Sequence, residues 1–270
     1  MDQTVLTRIA DALERLAPPV TDPAPTNAPA YIWHQGSLRA ATGFAPVSLD
    51  LLAGIDAQKA AVLENSRRLA AGHAAHDILL WGARGAGKSA LVKSTVAAVQ
   101  AEGGHLCLVE AACDELERLP DLFALLAREA RPAIVFIDDM GFEQGDPQMR
   151  HIRSVLDGGI SARPGHVRLY VTANRRHIVP RNLEEQSSAI NPRDAVDDNL
   201  ALADRFGLSL GFHACTQDVW LEMVAGYAKK LGLSFDPQDA LTWATQRGAR
   251  SGRIAWHYAV ELAGRAGKKI

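Results

Sequence analysis

The sequence predicts an α/β domain built on a five-stranded parallel sheet with helices on both faces, followed by a small helical domain. Three observations carry this expectation. Residues 78–99 read as a buried strand, a glycine-rich loop and a helix. From 106 to 212 short apolar runs alternate with helical periods, and from 216 that alternation gives way to three helical segments. Strands separated by helices need right-handed crossovers, which place the strands parallel and cover both faces of the sheet.

Composition sets the outer limits. A chain of 270 residues with 47% hydrophobic content can bury a sizeable core in one large domain plus an appendage. A net charge of -2 and a pI near 6.5 give no global basic field, so contact with nucleic acid or an anionic membrane would have to be local. Cys107, Cys113 and Cys215 are odd in number and lack metal-ligand spacing, which points to reduced thiols in a cytoplasmic protein. No run approaches the roughly 18 apolar residues of a membrane span, and Asp2, Arg8, Asp11, Glu14 and Arg15 interrupt any signal-peptide core. The expected location is the cytoplasm, with no membrane partner.

Taken in order, Val5, Ile9, Leu13 and Leu16 give an amphipathic helix over 4–17 that Pro18 and Pro19 stop. Its apolar face packs on its own domain or docks on another chain. Prolines 18, 19, 23, 25 and 29 make a semi-rigid linker, which sets residues 1–30 apart. Residues 31–54 have no clear period, with Tyr31 and Trp33 placed to cover a core edge. A helix is expected from Asp56, as N-cap, to Gly72.

Strands are expected over 78–81, 106–109, 133–137, 167–171 and 208–212, with helices over 121–130 after Pro120 and 147–156 after an Asp146 cap. These bound an α/β domain over 31–212. Helices over 217–231, 237–247 and 252–265 form the helical domain over 213–270. The polar stretch 181–198, with Pro192, is long for a structureless connection and is expected to be mobile or to meet a partner.

The chemistry concentrates in Gly82-Ala83-Arg84-Gly85-Ala86-Gly87-Lys88-Ser89, which satisfies G-x-x-x-x-G-K-[ST] between a strand and a helix. Glycines let successive N–H groups converge on an anion at a helix N-terminus; Lys88 then reaches the β- and γ-phosphates and the Ser89 hydroxyl ligates Mg²⁺. The third strand ends in Asp138-Asp139, carboxylates at the carboxyl edge of the sheet where open α/β sheets bind ligands. Asp138 is expected to hold Mg²⁺ and Asp139 to orient or deprotonate the attacking water. Asn174 ends the fourth strand with an amide able to position that water. Arg205, before the fifth strand, and Arg253, opening the last helix, suit phosphate because guanidinium stays charged and forked, although either could serve as a surface ion-pair residue.

This ordered set, followed by a helical appendage, resembles the AAA+ ATPases over residues 50–266. The runs 174–177, 204–208 and 251–253, with 54–59 and 156–159, look like a bacterial AAA+ family described only as a domain of unknown function. The resemblance implies that residues 82–89 are the Walker A loop, Asp138 and Asp139 the Walker B pair, Asn174 sensor 1, Arg205 an arginine finger and Arg253 sensor 2. It places Ile55 near the adenine of ATP. It also implies a homo-oligomer, often a hexamer, in which Arg205 acts in trans on a neighbour's nucleotide to remodel a macromolecular partner.

Two departures qualify the implied activity. Many AAA+ enzymes end the third strand in Asp-Glu, whereas Asp139 sets its carboxylate about 1.5 Å further back, a change that favours slow hydrolysis. The Asp-Asp ending resembles bacterial replication initiators and leaves open an ATP-switched adaptor or loader linked to nucleic acid. Arg175, Arg176, His177 and Arg181 form a local basic cluster that could meet phosphate backbone, nucleotide or an adjoining subunit. Residues 110–115 contain no aromatic-apolar-glycine pore loop, which weighs against a threading unfoldase.

Overall fold

The computed structural model describes Arg8 and residues 27–141, 147–158, 163–174 and 204–270. The expected helix over 4–17 as an element, most of the proline-rich linker, the Asp146 cap, the connection over 181–198 and the cluster of Arg175, Arg176, His177 and Arg181 lie outside these residues.

The sheet has seven strands rather than five: β1 (Ala30–His34), β2 (Ser37–Ala40), β3 (Ile78–Gly82), β4 (Cys107–Ala111), β5 (Ala133–Met140), β6 (Val167–Asn174) and β7 (Leu208–Phe212). Their spatial order is β2-β1-β4-β5-β6-β3-β7, parallel throughout except for β2 against β1. The two additional strands come from the stretch without a clear period. They form a hairpin whose turn, Gln35-Gly36, has positive φ at both central residues (50° and 73°), the geometry that matches strand twist in a two-residue loop. The Gln35 N–H donates to buried Glu115 at 2.8 Å, fixing the hairpin to the turn after β4.

The strands bury both faces, as a parallel sheet requires. Leu79, Val109, Val135, Ile137, Leu169 and Val171 face one apolar cluster with Trp33, Leu122 and Phe123. Ile78, Leu80, Leu108, Ile134, Phe136 and Tyr170 face the other, under α1 (Asp56–Ala70) and α2 (Lys88–Ala101). Tyr170 closes that layer with a buried network: its hydroxyl meets Asn65 Nδ2 at 3.0 Å and Ser66 Oγ at 2.9 Å. Burial pushes its phenol up to about 12.

Helix α1 begins one residue earlier in role than expected. Ile55 occupies the N-cap position without a side-chain bond, and Asp56 is the first helical residue, where its charge favours the helix dipole. At the other end the Gly72 N–H bonds to Leu69 and the His73 N–H to Arg68, a Schellman ending around Gly72. After β4 a 3₁₀ helix (Cys113–Arg118) leads into α3 (Leu119–Leu126), which takes Pro120 into its first turn instead of starting after it. Helix α4 (Pro147–Leu156) follows β5.

The helical domain comprises α5 (Gln217–Leu231), α6 (Pro237–Gln246) and α7 (Gly252–Arg265), capped by Thr216, Asp236 and Ser251 side chains. Its core gathers Trp220, Val224, Trp243, Ala255 and Tyr258, and it recruits Leu51 and Ala53 from the segment before α1. The neighbouring Leu52 and Ile55 point the other way, into the sheet core. Residues 51–55 therefore join two cores through alternate side chains, which ties the position of the helical domain to the sheet. No helix among the described residues is long and apolar enough to cross a membrane.

Candidate nucleotide-binding site

Strand β3 delivers the chain to the glycine loop beside the edge strand β7. Gly82 takes φ +134°, and the next N–H, of Ala83, donates to Phe212 O at 2.9 Å. A Cβ at Gly82 would lie 2.0 Å from that same carbonyl oxygen. Gly82→Ala is therefore expected to lower stability by about 3 kcal/mol, the upper end of overpacking costs, seen as a fall in the urea midpoint with unchanged m.

Gly87, in the left-handed region, is the N-cap of α2, so the first amides of the helix face the loop's concavity. Lys88 is only 5% exposed, and its Nζ donates to Gly82 O (3.0 Å), Ala83 O (2.8 Å) and Asn174 Oδ1 (2.9 Å). Burial lowers its pKa, opposed by the carboxylates of Asp139 and Asp138 and assisted by the Arg84 charge. A cation held inside the loop by neutral oxygens is poised to exchange them for anionic ones.

The acidic pair owes its arrangement to a β-bulge. In the β5–β6 register Ile137 faces Val171 and Met140 faces Ala173, so Asp138 and Asp139 together oppose Thr172. Adjacent residues of a regular strand point to opposite faces; the extra residue and the positive φ of Asp139 (57°) re-aim its carboxylate, so that both aspartates line the same cleft. Thr172 stabilises the bulge from both sides, accepting from the Asp139 N–H at 2.8 Å and donating to Asp138 Oδ1 at 2.6 Å. Ser89 Oγ donates to that same Asp138 oxygen at 2.6 Å. Asn174 bridges the site: its amide donates to Asp139 while its carbonyl accepts from Lys88.

These groups open into a cleft of about 590 Å³, within the range of small-molecule sites. The helical domain closes it: Tyr227, Gly252, Arg253 and Trp256 line the cleft together with Arg84, Gly85 and the residues above. The Gly252 N–H donates to Gly85 O at 3.1 Å, and a Cβ on Gly85 would come within 2.7 Å of Ser251 Cβ. Loop and helix meet backbone to backbone there, with no room for a side chain on the loop.

Two sequence-expected residues are outside the cleft lining, Ile55 beside the glycine loop and Arg205 near Asp157. Ile55 is buried in the sheet core, where a Cβ on Gly87 would lie 3.7 Å from its Cδ1; it is not among the residues lining the cleft. Arg205 also lies outside the cleft lining, and its Nε donates to Asp157 at 2.5 Å, beyond the end of α4. That carboxylate raises the guanidinium pKa further. Thr172, Tyr227 and Trp256 were not singled out in the sequence. A hydroxyl on the strand beside Asp138 and an aromatic one turn after Arg253 are the signals that mark them.

The largely parallel sheet, the glycine loop after β3, the acidic pair at the end of β5 and the helical lid define a protein of the AAA+ fold. The chain belongs to the family of proteins of unknown function DUF815, whose model matches residues 26–266. In three dimensions it is similar to RuvB of Thermotoga maritima, a Holliday junction branch migration motor, at 18% identity and TM-score 0.51, over 83% of this chain and 67% of that one. It is also similar to Orc1 of Aeropyrum pernix, solved in complex with DNA, at 18% identity and TM-score 0.56, over 80% of this chain and 62% of that one. The chain thus spans about two thirds of the length of these relatives. No curated protein matches it by sequence.

Proposed function

We propose that this protein binds and hydrolyses Mg-ATP in a homo-oligomer and uses the cycle to remodel a macromolecular partner. The observation that carries the reading is the convergence of Lys88, Ser89, Asp138, Asp139 and Asn174 in one hydrogen-bonded cluster under a glycine loop. Lys88 binds the β- and γ-phosphates as their charge replaces the loop carbonyls. Asp139, held by Asn174, takes the proton of the attacking water, and Arg253 neutralises phosphate charge from the lid.

The donor set fits Mg²⁺. Ser89 Oγ and Asp138 Oδ1 are two hard oxygens 2.6 Å apart, the pair that would hold the ion. Among the described residues no group of three or more His, Cys, Asp or Glu is arranged to hold a metal alone, which suits an ion that completes its shell with phosphate and water. When bound, Mg²⁺ neutralises charge developing between the β- and γ-phosphates.

Arg205 supports the oligomer. A guanidinium outside its own cleft, held to Asp157 on the surface, suits a phosphate bound by a neighbour. The number of subunits, six by resemblance, is part of the proposal. The test is size-exclusion chromatography with light scattering on Asp139→Asn in the apo, ADP and ATP states. Bound ATP without turnover and a larger assembly with ATP than without nucleotide are the expected results; a monomer in all three states would rule out the oligomer.

A second reading, an ATP-switched adaptor or loader with slow turnover, is favoured by the short Asp139 side chain. The 3₁₀ helix directly after β4, where threading enzymes carry a pore loop, supports either remodelling without threading or this adaptor role. Steady-state hydrolysis by wild type slower than disassembly would favour the adaptor. Salt-dependent DNA binding would give it a nucleic-acid partner.

A further inference from the structure

The phosphate chemistry leaves the apolar part of the cleft without a role. Val47 and Leu52 from the segment before α1 and Tyr227 and Trp256 from the lid supply apolar lining to the cleft. Trp256 is 38% exposed, whereas the other two lid tryptophans, Trp220 and Trp243, are buried. Tyr227 meets it edge to face, with ring centroids 5.3 Å apart and planes at 62°. A packing contact on one side thus holds the indole in place while part of it remains open to solvent at the cleft.

We propose that Trp256 is the stacking platform for the base of the bound nucleotide and gives the site its preference for a purine nucleoside triphosphate. The inference rests on the nucleotide reading of the cleft and extends it to the base. Three features of α7 support it. Arg253 and Trp256 are three residues apart, so both fall on one face of the helix, the cation near the phosphate loop and the ring beyond it. Gly252, preceding both, is hydrogen-bonded to Gly85 of the loop, which fixes the platform's distance from the phosphates. Trp256 is the aromatic residue of α7 that lines the cleft, whereas Tyr258 of the same helix is buried in the lid core.

The physical basis is general. An aromatic face offers a base large contact area at low conformational cost, and a two-ring purine overlaps an indole more fully than a one-ring pyrimidine. A nucleotide seated there would touch the loop through its phosphates and α7 through its base, bridging sheet and lid.

Calorimetric titration tests this, with Mg²⁺ present and in the Asp139→Asn background to prevent turnover. ATP, UTP and inorganic tripolyphosphate are titrated into the otherwise unchanged protein, Trp256→Ala and Trp256→Phe, with Lys88→Ala as control. The Kd for ATP is expected to rise about 5- to 150-fold in Trp256→Ala, the range of base–aromatic stacking. Tripolyphosphate should bind as before, the preference for ATP over UTP should shrink, and Trp256→Phe should restore most of the ATP affinity.

Unchanged ATP affinity in Trp256→Ala, with binding still lost in Lys88→Ala, would overturn the platform and spare the phosphate site. An equal loss of ATP and tripolyphosphate would also overturn it, because the ring would then only shape the cleft. If Lys88→Ala bound ATP as the parent does, the nucleotide reading itself would fall and this inference with it.

Discussion

Lys88→Ala is expected to weaken ATP binding by about 10- to 150-fold, and with it to remove hydrolysis at working concentrations. The figure follows from a charge-assisted phosphate contact of about 1.5–3 kcal/mol. The geometry argues for the upper part of that range. Lys88 is nearly buried, its ammonium already lies inside the loop on three oxygens, and two carboxylates face it. Removing it leaves the carboxylates of Asp138 and Asp139 at the phosphates with only the more distant charges of Arg84 and Arg253 on the lining to offset them. Arginine is a poor substitute, because a forked guanidinium does not fit where a point charge meets two loop carbonyls. Fluorescent-nucleotide titration on protein with an unchanged circular dichroism spectrum measures the effect.

Arg205→Ala is expected to lower turnover by about 10³- to 10⁵-fold, the contribution of an arginine finger, with ATP affinity close to wild type. The split is the informative part. A phosphate ligand of the same cleft, such as Lys88, would change binding and turnover together, whereas Arg205 lies outside the lining of its own cleft and pairs with Asp157. That exposed pair contributes little to stability, and a thermal melt of the same preparation separates any loss of fold from a loss of chemistry. Steady-state phosphate release and nucleotide titration on one preparation separate the two quantities.

What the sequence made legible followed periodicity and local chemistry. The glycine loop, the strand over 208–212 and the three lid helices have repeating apolar positions bounded by glycine, proline or capping residues, and all stand close to where expected. The β1–β2 hairpin escaped because strands of five and four residues are too short to show a period and because Gln35-Gly36 is a weaker turn signal than Asn-Gly. Strands β5 and β6 run on to Met140 and Asn174, because after the polar Asp138, Asp139 and Thr172 interrupt their apolar runs Met140 and Ala173 return to the core.

The bulge had no signature in the residues alone. It depends on the register between β5 and β6, strands distant in sequence, and that register brings Asp138 and Asp139 onto one side. Residue types could likewise mark Arg205 and Arg253 as phosphate ligands. Only the fold separates them, Arg253 lining the cleft from the lid and Arg205 pairing with Asp157 away from it. The apolar lining of the cleft was least legible, since Val47, Leu52, Tyr227 and Trp256 are ordinary apolar residues until two domains bring them to one cleft.

A site completed by a second copy of the chain is the central claim, and subunit mixing tests it most directly. Lys88→Ala keeps an intact Arg205, and Arg205→Ala keeps an intact cleft. Each is expected to be inactive alone, and the mixture should recover ATP hydrolysis with a maximum at an intermediate ratio. Mixtures that associate yet are no more active at any ratio than the sum of the two variants would contradict the claim.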